Sequence, residues 1–292
     1  MNKLLLFTKS LRLANLLMLA LVQFIVSHYF VQDYNLFHLI LISLSTGLIA
    51  LGGYLLNDVQ DLAIDAINEK LKWINSNNKD KWLKISFGLL MIGLCLGFWA
   101  SYLSQLYFFI VFTLAALSLI IYAYVLSKWK FVGNLLISLL ISLAILLCFY
   151  LEVNHLDFNR KFYGFDELDM LIYAAIAFLL NWLRELVKDI EDLTGDRMMK
   201  RLSLPVLIGA NATAFIVGLV LLFFICIFTY LAFQNPSMIS EKIYLLGLVF
   251  NTLVVIGFLF RAKKTEDYHT TSSLLKFLMF LGLLLPIFYS LF

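Results

Sequence analysis

Residues 36–65 read LFHLILISLSTGLIALGGYLLNDVQDLAID. Positions 36–56 are almost wholly apolar, and a helix needs about 20 such residues to cross a bilayer core. The run then gives way to Asn57-Asp58-Val59-Gln60-Asp61-Leu62-Ala63-Ile64-Asp65, with aspartates at i, i+3 and i+7. A second stretch, Lys188-Asp189-Ile190-Glu191-Asp192-Leu193-Thr194-Gly195-Asp196, repeats that spacing 131 positions later. On a helix of 3.6 residues per turn, this spacing holds three carboxylates within an arc of roughly 60°. Like charges so gathered repel one another, and a divalent cation shared by the clusters would relieve the repulsion. A carboxylate-held metal site at a membrane is the first expectation.

Composition agrees with a membrane chain. Of the 292 residues, 62% are hydrophobic and 14% charged, and the mean hydropathy is +0.92. Soluble domains run at about 45–50% apolar and about 25% charged, so the excess apolar surface must face lipid. The net charge of +3 gives no reason to expect nucleic acid as a partner. Nothing in the sequence points to an obligate protein partner. Cys95, Cys148 and Cys226 lie in apolar runs without CxxC spacing and read as packing residues. The N-terminal basic residues precede an apolar run, but Arg12 and Asn15 interrupt it and no small-residue cleavage site follows Leu21. A retained first helix is expected. No linker divides the chain, which predicts one domain over 1–292.

Nine spans are predicted, near 14–32, 36–56, 84–102, 105–126, 132–151, 169–187, 205–232, 242–260 and 272–291. With a cytoplasmic N-terminus, only Arg160, Lys161 and Lys242 of the 22 Lys and Arg fall on the far side. This satisfies the positive-inside rule. The expected architecture is an all-α, multi-pass protein of the cell membrane, its helices around a central cavity beneath a cytoplasmic cap. Both aspartate clusters lie at the cytoplasmic ends of spans running inward, the second and the sixth. Their separation suggests a parallel repeat of four spans plus a ninth.

The sixth span carries Asn181, Arg184, Glu185, Lys188, Asp189 and Asp192 on one continuous polar face. The second carries Asn57, Asp61, Asp65 and Asn68, with Gly52-Gly53 a turn above. Ionisable groups at membrane depth are costly and mark a water- or ligand-filled cavity. Oxygen donors alone favour Mg²⁺, whereas zinc would draw on His or Cys. His28, His38, His155 and His269 are scattered and read as interface or loop residues. Mg²⁺ is commonly held by a few carboxylates and substrate phosphates, so the substrate should carry a diphosphate. Arg12, Lys128, Arg184 and Lys188 are candidates to neutralise its oxygens. Tyr54 and Tyr122 offer ring faces to a developing carbocation. Diphosphate head, metal, greasy cavity and aromatic lining together describe an isoprenyl diphosphate.

These residues resemble the UbiA superfamily of intramembrane prenyltransferases. Asn57 to Asp65 fits every fixed position of its first signature, NDxxDxxxD. The segment from Arg184 to Asp196 is similar to REIxKDIEDxxGD, the pattern of the branch that makes digeranylgeranylglyceryl phosphate. Arg12 and Asn15 look like the family's first-span pair. Tyr122, Lys128 and Gly133-Asn134 resemble its fourth-span exit and fifth-span start, and Ser203-Leu204-Pro205-Val206 resembles its TLPV stretch. Two departures stand out. Asn68-Glu69-Lys70-Leu71-Lys72 replaces a proline-bearing NRPxRPL, and Lys200 stands where a glycine is usual.

The resemblance implies a Mg²⁺-dependent prenyltransferase. Asp58, Asp61 and Asp65 would hold Mg²⁺ against the diphosphate. Asp189, Asp192 and Asp196 would hold a second ion or orient the acceptor. Asn57 would fix the first site, with Arg12, Asn15 and Tyr122 at the substrate and Lys128, Arg184 and Lys188 on the leaving diphosphate. Asp196 or Glu185 would take the acceptor's proton. The branch implies geranylgeranyl diphosphate as donor and geranylgeranylglyceryl phosphate as acceptor. Prenylation of an aromatic acid for quinone synthesis is the alternative within the family, and a transporter the alternative outside it.

Overall fold

The computed structural model describes residues 11–31, 34–68, 74–155, 167–234 and 239–290. Among these every regular element is a helix, and nine are long and apolar enough to cross a membrane. The protein is a multi-pass membrane protein. Helices are the natural outcome in lipid, where each backbone N–H and C=O must find its partner within the segment.

The chain divides into two compact units, residues 1–175 and 176–292. In the first, α1 (Leu13–Ile25) runs on as a π turn, Val26–Val31, and is followed by α2 (Leu36–Gln60) and a short α3 (Leu62–Ile67). Then come α4 (Lys79–Leu103), α5 (Phe109–Ile121), a second π turn at Tyr122–Leu126, and α6 (Lys130–His155). Helix α7 (Glu167–Glu191) leads into the second unit, which holds α8 (Leu193–Met198), α9 (Leu204–Ile208), α10 (Ala210–Gln234), α11 (Ile239–Arg261), α12 (Thr265–Leu283) and α13 (Leu285–Ser290). A 25-residue helix is about 37 Å long, enough to span the hydrocarbon core of about 30 Å and emerge from it.

The repeat is clear in the helix bounds. Helices α2 and α7, α3 and α8, and α4 and α10 each begin and end 131 positions apart. Their packing differs. In the first unit α2 and α4 meet through small residues. A Cβ on Gly52 would lie 2.8 Å from Leu90 Cγ and 2.9 Å from the Ser86 carbonyl, and one on Gly93 would lie 3.1 Å from the Ser45 carbonyl. Ser45 Oγ donates to the Gly93 carbonyl at 2.7 Å. Gly97, four residues on, is as tightly enclosed, a Cβ there lying 2.8 Å from Phe112 Cγ and from Ser45 Oγ. At the corresponding positions of the second unit stand Leu183, Phe224 and Phe228, all buried in its core, with the two Phe rings stacked at 5.8 Å.

Several span bounds differ from those hydropathy suggests. Helix α4 begins at Lys79 rather than 84, because Asp80, Lys81 and Lys84 continue the helix beyond the apolar run. Helix α10 begins at Ala210 rather than 205, because Gly209 (φ 91°, ψ 155°) separates it from α9. Helix α12 begins at Thr265, where Asp267 Oδ2 accepts from the backbone N–H groups of Lys263 and Lys264 at 2.8 and 2.9 Å.

The fully buried His38 is a correction to its reading as an interface or loop residue. Its Nδ1 lies 3.0 Å from Glu152 Oε1, with both side chains at 0% exposure, and its Nε2 lies 3.0 Å from the Ala100 carbonyl. Glu152 also accepts from the Asn35 backbone N–H at 3.3 Å. Three spans are tied together at the end of α2 away from its aspartates.

Candidate active site

Both aspartate clusters differ from the single helical face expected of them. Helix α2 ends at Gln60, Asp61 sits at φ −90° and ψ 4°, and α3 restarts at Leu62. Helix α7 ends at Glu191, Asp192 sits at φ −90° and ψ 5°, and α8 restarts at Leu193. In each the middle aspartate occupies the bridge region of backbone space, where turn and active-site residues collect. The i→i−4 bonds persist on either side: Asp61 to Asn57 and Asp65 to Asp61 at 2.9 Å, Asp192 to Lys188 at 2.9 Å and Asp196 to Asp192 at 3.0 Å. The first aspartate of each set is thus on the last turn of a long helix, the second at the break, and the third in the first turn of a short helix.

Burial repeats as well. Asp58 and Asp65 are 1% and 8% exposed, and Asp189 and Asp196 are 3% and 0%. Asp61 and Asp192 are half-buried. Taking a carboxylate out of water costs several kcal/mol unless cations or hydrogen-bond donors compensate. At the first junction Arg12 supplies one cation, its Nη2 3.0 Å from Asp58 Oδ1. The same guanidinium lies over the Tyr54 ring, 4.7 Å from its centroid. Arg12 itself has a left-handed backbone (φ 50°, ψ 40°) just before α1. That conformation costs a residue with a Cβ about 1–2 kcal/mol. Asn57 Nδ2 donates to Asp61 Oδ2 at 2.7 Å, while the buried Asn57 Oδ1 has no hydrogen-bond partner.

At the second junction two cations of α7 gather on a carboxylate of the same helix. Arg184 Nη1 donates to Glu185 Oε1 at 3.0 Å, and Lys188 Nζ to Glu185 Oε2 at 2.7 Å. Glu185 is thereby committed to two cations. The buried Nε of Arg184 has no acceptor. Tyr122 opens the π turn, whose Ser127 N–H bonds the Tyr122 carbonyl at 2.8 Å. A Cβ at Gly133 would lie 2.6 Å from the Tyr122 ring, so only glycine admits the ring there. Lys128 is exposed and Asn15 half-buried. Lys200 has φ 53°. With Arg201 N–H on the Asp196 carbonyl at 2.8 Å and Lys200 N–H on the Arg197 carbonyl at 3.2 Å, it closes α8 in a Schellman turn. Glycine is favoured at that left-handed position, so the departure at Lys200 falls on a residue that adopts a glycine-like conformation. Most of the other departure, 69–72, lies outside the described residues.

The donor set suits a hard divalent cation. It is all oxygen, it is largely withdrawn from water, and an acceptor beside Asp58, Asn57 Oδ1, is left to be satisfied. Among the described residues no three His, Cys, Asp or Glu side chains form a metal cage by themselves.

The sequence profile of the UbiA prenyltransferase family matches residues 16–286. The chain belongs to the UbiA prenyltransferase family. It is a prenyltransferase by that membership. Among curated relatives, the digeranylgeranylglyceryl phosphate synthase of Saccharolobus solfataricus is 32% identical over 259 residues, 86% of each chain. That of Korarchaeum cryptofilum is 30% identical over 258 residues, 84% of this chain and 83% of the relative. Among solved structures, a digeranylgeranylglyceryl phosphate synthase superposes with a TM-score of 0.65 at 22% identity, covering 98% of both chains. A UbiA homologue from Archaeoglobus fulgidus bound to DMAPP and Mg²⁺ gives 0.61 at 14% identity, covering 95% of this chain and 99% of that one. These likenesses support the all-α UbiA fold, and they leave each residue's role to the argument below.

Proposed function

We propose that the protein transfers a geranylgeranyl group from its diphosphate to geranylgeranylglyceryl phosphate, forming an ether bond in lipid synthesis. The observation that carries this is the repeated junction, two sets of aspartates with the same backbone, burial and spacing. The branch signature from Arg184 to Asp196 and the curated relatives support the choice of acceptor. Residues 1–292 act as one functional domain, since the family match runs through both units. The distribution of Lys and Arg supports a cytoplasmic N-terminus and cytoplasmic junctions beneath a cap, with the prenyl tail in a central apolar cavity.

Asp58, Asp61 and Asp65 would hold Mg²⁺ against the donor diphosphate, with Asn57 fixing Asp61. Asp189, Asp192 and Asp196 would hold a second ion or orient the acceptor. Bound Mg²⁺ supplies Lewis acidity that stabilises the leaving diphosphate. Lys128 in the first unit and Arg184 and Lys188 in the second are the candidate cations for phosphate oxygens. Arg12 and Asn15 bind at the donor head. Tyr122 offers a ring face to the allylic carbon, which is electron-poor as its C–O bond breaks. The acceptor hydroxyl oxygen then bonds that carbon and its proton passes to a carboxylate. Asp196 or Glu185 would take that proton, Glu185 being held between two cations.

The test is an acceptor panel. Detergent-purified protein receives Mg²⁺, labelled geranylgeranyl diphosphate and, separately, geranylgeranylglyceryl phosphate, 1,4-dihydroxy-2-naphthoate or 4-hydroxybenzoate, each with an EDTA control. Product only with the glyceryl phosphate, abolished by EDTA, is expected. Product with an aromatic acid instead would move the protein to quinone synthesis. No diphosphate release with any acceptor would overturn the reading.

A further inference from the structure

We propose that Arg12 is a built-in competitor of the divalent cation at Asp58, its guanidinium holding ion binding down until an anionic substrate draws it away. This rests on the metal-site reading above and concerns how that site is regulated.

Asp58 is almost wholly withdrawn from water, and one of its oxygens already carries a full positive charge, the Arg12 guanidinium at 3.0 Å. The contact is long-range, between residues 46 positions apart. It is therefore a product of the fold and not of local helix geometry. It is reinforced from below. Tyr54 precedes Asp58 by one helical turn, so its ring and the carboxylate share a face of α2. The guanidinium rests on both, with its Cζ 4.7 Å from the ring centroid. The backbone is committed too. Arg12 adopts a left-handed conformation at the residue before α1, while its carbonyl accepts from Asn15 and Leu16 N–H. A residue kept in that region needs surroundings that over-determine it, and such positions cluster at switches and clamps. Here the surroundings are the Asp58 carboxylate and the Tyr54 ring.

A guanidinium and a divalent ion on one carboxylate repel each other, and the repulsion grows as the reciprocal of their separation. Cation binding to the protein alone must therefore either displace the guanidinium or work against its charge. The pair is a brake on ion capture before a substrate arrives. A released guanidinium, still anchored at the start of α1, is available to an anionic oxygen of the incoming donor. Such an oxygen would compensate for the lost ion pair and make cation and donor binding mutually favourable. At the second junction Arg184 and Lys188 donate to Glu185.

The experiment uses Mn²⁺ as the probe, with free Mn²⁺ followed by electron paramagnetic resonance during titration with the purified full chain in detergent. Removing the competitor in Arg12→Gln should tighten Mn²⁺ binding about fivefold or more, the lower end of ordinary coupling between two binding events. Arg12→Lys keeps the charge and should stay near wild type. Tyr54→Leu removes only the ring beneath the guanidinium and should tighten binding by a smaller factor, which provides a second reading should Arg12→Gln fail to fold. Thermal unfolding of each variant checks integrity. Unchanged or weaker Mn²⁺ binding in folded Arg12→Gln, with wild type binding normally, overturns the competitor and leaves the metal site standing. No Mn²⁺ binding by wild type or any variant overturns both readings.

Discussion

At the first junction the chain bends at Asp61 with φ −90° and ψ 4°, and at the second it bends at Asp192 with φ −90° and ψ 5°. The six carboxylates follow one pattern of burial in both. What differs is the source of positive charge. Asp58 draws on Arg12, 46 positions away at the start of another helix. The second junction carries Arg184 and Lys188 on its own helix, gathered by Glu185. Packing above the junctions diverges in the same manner, glycine at 52 and 93 against leucine at 183 and phenylalanine at 224. A repeated backbone preserves the acidic oxygens where the bend puts them. Counter-ions and helix spacing are set by side chains that can change without disturbing the bend, and there the halves have specialised.

The largest effect expected from breaking this equivalence is on turnover. Asp61→Asn should lower kcat on the order of 100-fold or more, as losing one charge-stabilising group of an active site does, while the protein still inserts and purifies. Asp192→Asn, the same change at the second bend, should match it if both carboxylates serve the chemical step. A loss confined to KM for the acceptor would assign the second junction to orientation. Radiolabelled product formation at several acceptor concentrations separates these outcomes, and full activity in Asp61→Asn would sink the metal assignment.

Stability should then separate the halves. Phe224→Ala leaves a cavity in the second unit's core and should cost about 3 kcal/mol. Gly52→Val forces a side chain into Leu90 and the Ser86 carbonyl, an overpacking of about 1–3 kcal/mol. Denaturant titration in mixed micelles reads both, and a neutral Gly52→Val would show that α2 and α4 are free to move apart. The smallest effect is a gain. Lys200→Gly places a glycine at the left-handed position closing α8 and should stabilise by about 1 kcal/mol, seen as a modest rise in Tm with activity retained.

The spans and the acidic chemistry were legible because both are local. Twenty apolar residues, or aspartates at i, i+3 and i+7, can be read in a short window. The bends at Asp61 and Asp192 were not, since neither residue is a helix breaker and helix resumes at the next position. The start of α10 was misplaced by five residues although Gly209 marks it, because Leu204 to Ile208 keeps the hydropathy high across the break. The pairing of His38 with Glu152 joins residues 114 positions apart. A glutamate near the end of the fifth apolar run was the available hint, but nothing in the sequence names its partner. Arg12 was singled out as a candidate for a phosphate, and its contact with Asp58 depends on a left-handed backbone that no pattern announces.

The His38–Glu152 pair also bears on biogenesis. As the ribosome delivers the chain, α2 enters the membrane long before α6 has been synthesised. The histidine must wait there until the glutamate arrives with α6. Only with α6 in place do both imidazole nitrogens face oxygen, Glu152 on one side and the Ala100 carbonyl on the other. Assembly of the first half therefore has a defined moment of completion, the arrival of its fifth span, and a nascent chain stalled before that point would present an unsatisfied histidine to the membrane's quality control.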